Sequence, residues 1–312
     1  MLNSARPWLL AGLALAAALT AAAAAQNQAP ATAEAAQEHA PPLSRDEIAH
    51  RLSQSLPAWS DAVLRAPQTP NWTAALRPER VAALLGDAEL AAAVKSAPRG
   101  SRLFQSANST LRIDPERGEL RYVSRSRTVD PMGQVGTLPP GERASQSVVR
   151  ALTALGLPRG EFAAPNAVTQ ISSGGSVRSQ APEVKAEIYR LVTVPRVVGG
   201  LPVFVSDARA ALTSKGEVQR LRITWPVLNT PRRMQLASRE AVIARAADAL
   251  ADHGITARAE IRASLAYVPA DAKGVSGYVP AVLISVLEPP TPFIFSVPVV
   301  EPAEGDDDPA IG

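Results

Sequence analysis

The residues best suited to chemistry are few and scattered. Three histidines, His39, His50 and His253, are the only imidazoles in 312 residues, and there is no cysteine. A chain without cysteine forms no disulfide, no thiolate nucleophile and no Cys-based zinc site. Glu47-Ile-Ala-His50 has the Glu-x-x-His spacing that sets both side chains on one helix face in di-iron bundles. Such a centre needs two copies and further carboxylates, and only one copy is present, so Glu47 and His50 read as a solvated first helical turn. His39 falls in a polar spacer. His253 precedes Gly254, where a histidine complements the negative end of a helix. No Gly-x-Ser-x-Gly elbow presents a serine for a triad. Gly174-Gly175 and Gly199-Gly200 lack the Gly-Lys-Ser/Thr ending of a phosphate loop and read as turns. Asp306-Asp-Asp308 is too short for a calcium loop. The expectation is therefore a protein that is not an enzyme, with no catalytic, cofactor or metal residues.

Binding chemistry is better represented. Arg121, Arg125 and Arg127 alternate along one expected strand, and Arg220 and Arg222 along another, with Arg232 and Arg233 nearby. Period two places each set on one face of a sheet. If a helix covers the other face, these arginines form either an ordinary soluble surface or a basic platform for lipid phosphates, acidic glycans or an acidic strand of a partner. Phe293-Ile-Phe-Ser-Val-Pro-Val-Val300 reads as an edge strand open to strand addition by a protein partner, with Phe293 and Phe295 as its anchors. The net charge of +3 with five acids after Val300 leaves the rest of the chain mildly basic. No basic-aromatic interleaving points to nucleic acid. Asn71-Trp-Thr and Asn108-Ser-Thr are glycosylation sequons, relevant only in a host that uses them.

The elements that would position these residues come in a clear order. Residues 1–25 read as a Sec-type signal peptide: Arg6, an apolar run, then Ala23-Ala-Ala25 as cleavage site. An uncleaved anchor is the alternative, and cleavage leaves no stable membrane span. Residues 26–42 form a disordered spacer, 43–96 a helical region broken by prolines, and 301–312 an acidic disordered tail. Ser44 is the expected N-cap of the first helix. Two segments follow, 97–198 and 199–300, each ordered strand, strand, helix, strand, strand. The helices are expected from about Gly141 to Leu155 and from Arg239 to Asp252, stopped by Gly156 and Gly254. Leu152 falls on Leu250 and Gly156-Leu157 on Gly254-Ile255 at an offset of 98, which reads as an internal duplication. The predicted fold is α+β: two tandem repeats of antiparallel sheet with one helix packed on one face, preceded by a small helical region.

Gly199-Gly-Leu-Pro-Val-Phe-Val-Ser206, followed by a turn with Gly216, a strand ending near Trp225 and then a helix, resembles the PepSY and FTP-type modules of secreted bacterial proteins. The match is best over Glu187 to Tyr267 and fainter over Gly100 to Glu161. The resemblance implies a helix-on-sheet fold and a role as inhibitor or folding aid of a secreted peptidase, although no His-Glu-x-x-His peptidase motif follows. The functional expectation is a secreted or periplasmic non-enzymatic binding protein. Its partner would be a protein of the envelope or medium, with an anionic lipid or glycan as a further possibility. The alternative is an envelope carrier or sensor holding a lipid or small molecule between helix and sheet.

Overall fold

The computed structural model describes residues 41–59, 64, 69–131, 136–174, 184–228, 235–270, 277–288 and 292–301. The expected signal segment, the spacer through residue 40, the arginines 232 and 233 and the tail after Glu301 lie outside the described residues. Among the described residues there are five α-helices and ten strands, with the strands mostly antiparallel. The fold class is α+β. No helix among them is long and apolar enough to cross a membrane. The chain divides into two compact units. One draws on Gln68–Val198 and Val205–Leu228, and the other on the chain up to Pro67, on Gly199–Phe204 and on Asn229 onward.

In the first unit, strands β1 (Leu103–Gln105), β2 (Ser109–Asp114) and β3 (Glu119–Ser124) are followed by β4 (Asn166–Gly174) and β5 (Val184–Val198). Then come β6 (Leu201–Leu212) and β7 (Val218–Thr224). The sheet order is β1-β2-β3-β7-β6, with β5 beside β6 and β4 beside β5. β3 and β7 are antiparallel, with Tyr122 opposite Leu221. The hairpin β6–β7, placed by sequence at the head of the second segment, thus continues the sheet that β2–β3 begins. The reason lies in what each hairpin buries. An isolated two-stranded hairpin is marginal in water. Side by side, Leu111, Ile113, Leu120 and Tyr122 join Ala208, Ala210, Leu221 and Ile223 in one core.

Helices α2 (Pro78–Leu85), α3 (Ala88–Ser96) and α4 (Gly141–Ala154) add Val81, Leu90, Val148 and Leu152 to that core. Proline opens α2, where a missing N–H costs nothing. Gly86 ends it in the left-handed region at φ +60°. Asp87 then caps α3 by accepting the Leu90 N–H at 2.9 Å. Gly118 is required for a different reason. A Cβ there would lie 2.4 Å from the Trp225 carbonyl oxygen, which packs on the β2–β3 turn.

The second unit holds α1 (Arg45–Ser55), α5 (Arg239–Asp252), β8 (Glu260–Pro269), β9 (Tyr278–Leu287) and β10 (Phe293–Pro298). Ser44 caps α1 in a capping box. Its hydroxyl receives the Glu47 N–H at 3.3 Å, and the Glu47 carboxylate receives the Ser44 N–H at 2.9 Å. Ser238 caps α5, its hydroxyl accepting the Ala241 N–H at 3.1 Å, with no carboxylate to close a box. α4 opens at Gly141 and α5 at Arg239, and they close at Ala154 and Asp252, an offset of 98 at both ends. β8, β9 and β10 pair antiparallel in that order, and β6 adds a parallel contact at Val203 opposite Tyr267. β9 is buried from Tyr278 to Val286, as its apolar run, interrupted only by Ser285, requires.

β6 passes from one unit to the other between Phe204 and Val205. There the backbone turns left-handed, with Val205 at φ +60° and 55% exposed. A β-branched side chain pays about 1–2 kcal/mol for that region, whereas glycine loses about 0.5–1 kcal/mol through unfolded-state entropy. Val205→Gly is therefore expected to leave stability unchanged or raise it by up to about 1 kcal/mol in urea denaturation. A clear loss would mean that Val205 is extended in solution.

Candidate functional site

The helices α2, α3 and α4 cover one face of the seven-strand sheet, so alternate residues of β2, β3, β6 and β7 face away from them. On that outer face four arginines stand in one register row. Arg112 is opposite Arg121, Arg121 opposite Arg222, and Arg222 opposite Arg209. All four are exposed. Strand spacing sets the interval along the row at about 5 Å.

A second row lies two residues away, made of Asp114, Glu119, Thr224 and Asp207. Each carboxylate serves the arginine on its own strand. Glu119 holds Arg121 at 2.9 Å, Asp207 holds Arg209 at 2.6 Å, and Asp114 lies 3.8 Å from Arg112. In β7 the corresponding position is Thr224. Arg222 consequently has no ion pair among the described residues, and neither does Arg220, exposed two positions back on the same strand. The face carries five arginines against three carboxylates, and its surplus sits on β7.

Of the arginines singled out by sequence, Arg121, Arg220 and Arg222 come together here. Arg125 and Arg127 do not, because β3 stops at Ser124. Arg125 is exposed beyond the strand end, its N–H donated to the Asn108 carbonyl. Arg127 turns inward and ties helix end to sheet. It donates to the Leu85 and Val218 carbonyls at 2.9 Å each and to the Gly86 carbonyl at 3.0 Å. Arg112 and Arg209 complete the row and were not singled out. The only sequence signal for them was an arginine two residues from an acid in each strand.

Phe293 and Phe295 are half-buried on β10. Both stack on the His253 ring, with centroids 5.2 and 6.4 Å away. His253 caps α5, its Nδ1 lying 2.8 Å from the Ala249 carbonyl oxygen. From Pro298 onward the outer edge of β10 is covered. Ala237 donates to the Val299 carbonyl and Glu301 to the Gln235 carbonyl. The Arg245 guanidinium donates to the Val300 and Pro298 carbonyls. Glu47 is spent in the α1 capping box, and the His50 ring contacts Gln54 at 2.9 Å. Among the described residues no three His, Asp or Glu side chains converge to hold a metal ion.

Two buried polar clusters in the first unit resemble sites, yet their groups serve one another. Arg196 is 1% exposed. Its guanidinium donates to Glu161 at 2.7 Å, to Thr69 Oγ1 at 3.1 Å and to the Pro226 carbonyl. It also lies over the Trp225 ring, 5.1 Å from the centroid, while Trp225 Nε1 donates to the same Glu161 carboxylate. The second cluster surrounds Asp87. Burial pushes its carboxyl up, but donation by the Ser109 hydroxyl, the Leu90 N–H and the Tyr122 hydroxyl outweighs burial, with help from the nearby Arg127 charge. The net direction is down.

No protein-family model matches the chain, and no curated protein does.

Arg196→Ala is expected to cost roughly 3–5 kcal/mol in chemical denaturation, because it leaves Glu161 without its cation. Arg196→Lys is expected to fall well short of rescue, since one ammonium cannot serve three divergent acceptors. Arg102→Ala, which removes an exposed pair with Glu116, should cost less than about 1 kcal/mol. Asp87 has a folded value below the ordinary 3.8, so its stabilisation is present above that pH and is lost as pH falls through the folded value. The stability gap between the native protein and Asp87→Asn should be constant at neutral pH and narrow below pH 3.8; an unchanging gap would contradict the assignment.

Proposed function

We propose that this is a non-enzymatic binding protein that acts in the periplasm or the medium and meets an anionic partner through the arginine-bearing sheet face. The observation that carries the reading is the row Arg112–Arg121–Arg222–Arg209 on a face that the helices of its own unit leave open, with Arg222 and Arg220 in no ion pair among the described residues. A guanidinium meets carboxylate or phosphate through its planar, bidentate fork, and on β7 that charge is not already taken up by an acid of its own strand. The signal-like N-terminus and the likeness of Gly199–Ser206 to PepSY and FTP-type modules support secretion. They also support a partner in the envelope, among which a peptidase inhibited or assisted in folding fits the resemblance.

A carrier site between helix and sheet draws less support. In the first unit Leu152, Leu120 and Ile223 are fully buried and fill the space between helix and sheet.

The double variant Arg121→Glu/Arg222→Glu reverses charge at two exposed positions and should leave the thermal midpoint within a few degrees of the native value. It is expected to lose co-sedimentation with washed bacterial envelopes at low salt, and salt should weaken the native protein in the same assay. Unaltered sedimentation of the double variant would remove this face from the reading.

A further inference from the structure

Strand β10 follows β9 as β6 follows β5, yet β6 carries strands on both edges while β10 pairs with β9 alone. The Val299 N–H donates to the Pro280 carbonyl at 2.9 Å. In the alternating antiparallel pattern, Val297, Phe295 and Phe293 therefore turn their backbone groups toward β9. Ile294, Ser296 and Pro298 turn theirs outward. The Pro298 carbonyl accordingly accepts from the Arg245 guanidinium rather than from β9, and a proline at an outward position removes no bond from the ladder. The outward N–H and C=O groups of Ile294 and Ser296 have no hydrogen-bond partner among the described residues.

The sequence of this edge selects its occupant. From Pro292 to Val300 it holds no charged residue, so two copies of it meet without like-charge repulsion. Pro292 and Pro298 stand equally far from Phe295 on either side. A twofold axis at Phe295 sets that residue beside Phe295 of a second copy, with Ile294 opposite Ser296, Phe293 opposite Val297 and Pro292 opposite Pro298. On each side of the axis Ile294 and Ser296 then exchange their outward N–H and C=O groups. Bonding ends where proline has no N–H to give, and Arg245 of the same chain already serves the Pro298 carbonyl. The half-buried Phe295 ring gains its own counterpart at the closer, non-hydrogen-bonded spacing of about 4.5 Å between Cα atoms. A strand of unrelated sequence would call for none of this symmetry. The other open edges fit less well. β1 has only three residues, and β4 is broken by a register shift between Gln170 and Ile171.

We infer that a second copy of this chain adds its β10 antiparallel along this edge, joining the two sheets about a twofold axis at Phe295. The inference stands independently of the arginine face. Sedimentation of the purified protein at rising concentration should show a weak dimer, half formed at roughly 10–100 µM, as befits a short interface. Ser296→Pro removes an outward N–H and should weaken the dimer by at least about tenfold with an unchanged thermal midpoint. Ile171→Lys, at an exposed position of β4, should leave the dimer as it is. Cysteine pairing reads the register, because the chain has no cysteine of its own. Ile294→Cys and Ser296→Cys chains, mixed and oxidised in air, should cross-link to each other, since facing positions lie about 5.5 Å apart between Cα atoms. Neither should cross-link to itself, because like positions sit on the diagonal, beyond the roughly 7 Å that a disulfide spans. Cross-linking decides alone if Ser296→Pro lowers the midpoint. A native protein that stays monomeric at every concentration overturns the inference and leaves the edge to a strand of another protein. So does a dimer that Ser296→Pro does not weaken, one that Ile171→Lys abolishes, or one in which either cysteine chain links to itself.

Discussion

Arg196 is a cation with 1% of its side chain exposed, and the seven-strand unit is built around satisfying it. A guanidinium so far from water is tolerated only where its donors all find acceptors. The acceptors come from three separate places in the chain: Thr69, Glu161, and the adjacent pair of the Trp225 face and the Pro226 carbonyl. Thr69 in turn receives the Leu228 N–H at 2.8 Å, and Trp72 Nε1 donates to the Trp225 carbonyl at 2.9 Å. The end of β7 is thereby pinned to β5, to the short helix Arg159–Glu161 and to the segment ahead of α2. With β7 so fixed, β3 has only one place to pair. The same Trp225 carbonyl forbids a side chain at Gly118, so the β2–β3 turn is seated against the pinned end of β7.

The open face follows from that arrangement. The three helices of the unit all pack on the apolar side, where Tyr122, Leu221 and Ile223 meet Val81, Leu90 and Leu152. On the other side Ala211 of β6 packs with Ile188, Tyr189 and Leu191 of β5, while the arginines of β2, β3 and β7 stay exposed. An uncovered face must be polar, and alternation along β2, β3, β6 and β7 supplies arginines and acids in turn. Arginine suits the position twice over, since its aliphatic stem lies along a strand neighbour while the fork stays wet.

Much of this was legible in the sequence, and the part that was not has a common cause. Helix α5 runs over the expected residues Arg239–Asp252, and α4 ends within one residue of expectation, because apolar period, Ser238 and the stops at Gly156 and Gly254 are local signals. The Ser44 cap and the break at Gly86-Asp87 are local too. Strand pairing is not. Nothing within reach of Arg121 in the sequence says that Arg222, 101 positions on, stands beside it. The alternation of Arg121, Arg125 and Arg127 suggested one continuous strand. Tertiary demand broke it, since Arg127 is needed to satisfy the carbonyls of Leu85, Gly86 and Val218. The buried Arg196 gave no signal at all, because an arginine read from sequence alone is taken as surface.

The two hairpins β2–β3 and β6–β7 meet back to back at β3 and β7, and each brings one arginine row and one acid row to the outer face. The match is complete except at one position. Glu119 of the first hairpin pairs with Arg121, whereas Thr224 of the second offers Arg222 no charge. Thr224 is buried and its hydroxyl has no hydrogen-bond partner among the described residues, while its carbonyl oxygen accepts from the Ser206 hydroxyl. A glutamate at that position would have to bury its carboxylate beside the pinned end of β7, at a cost far above what an exposed ion pair returns. The packing that fixes β7 therefore also excludes the carboxylate that would neutralise Arg222, and the unpaired charge at the centre of the face is a consequence of how the core closes.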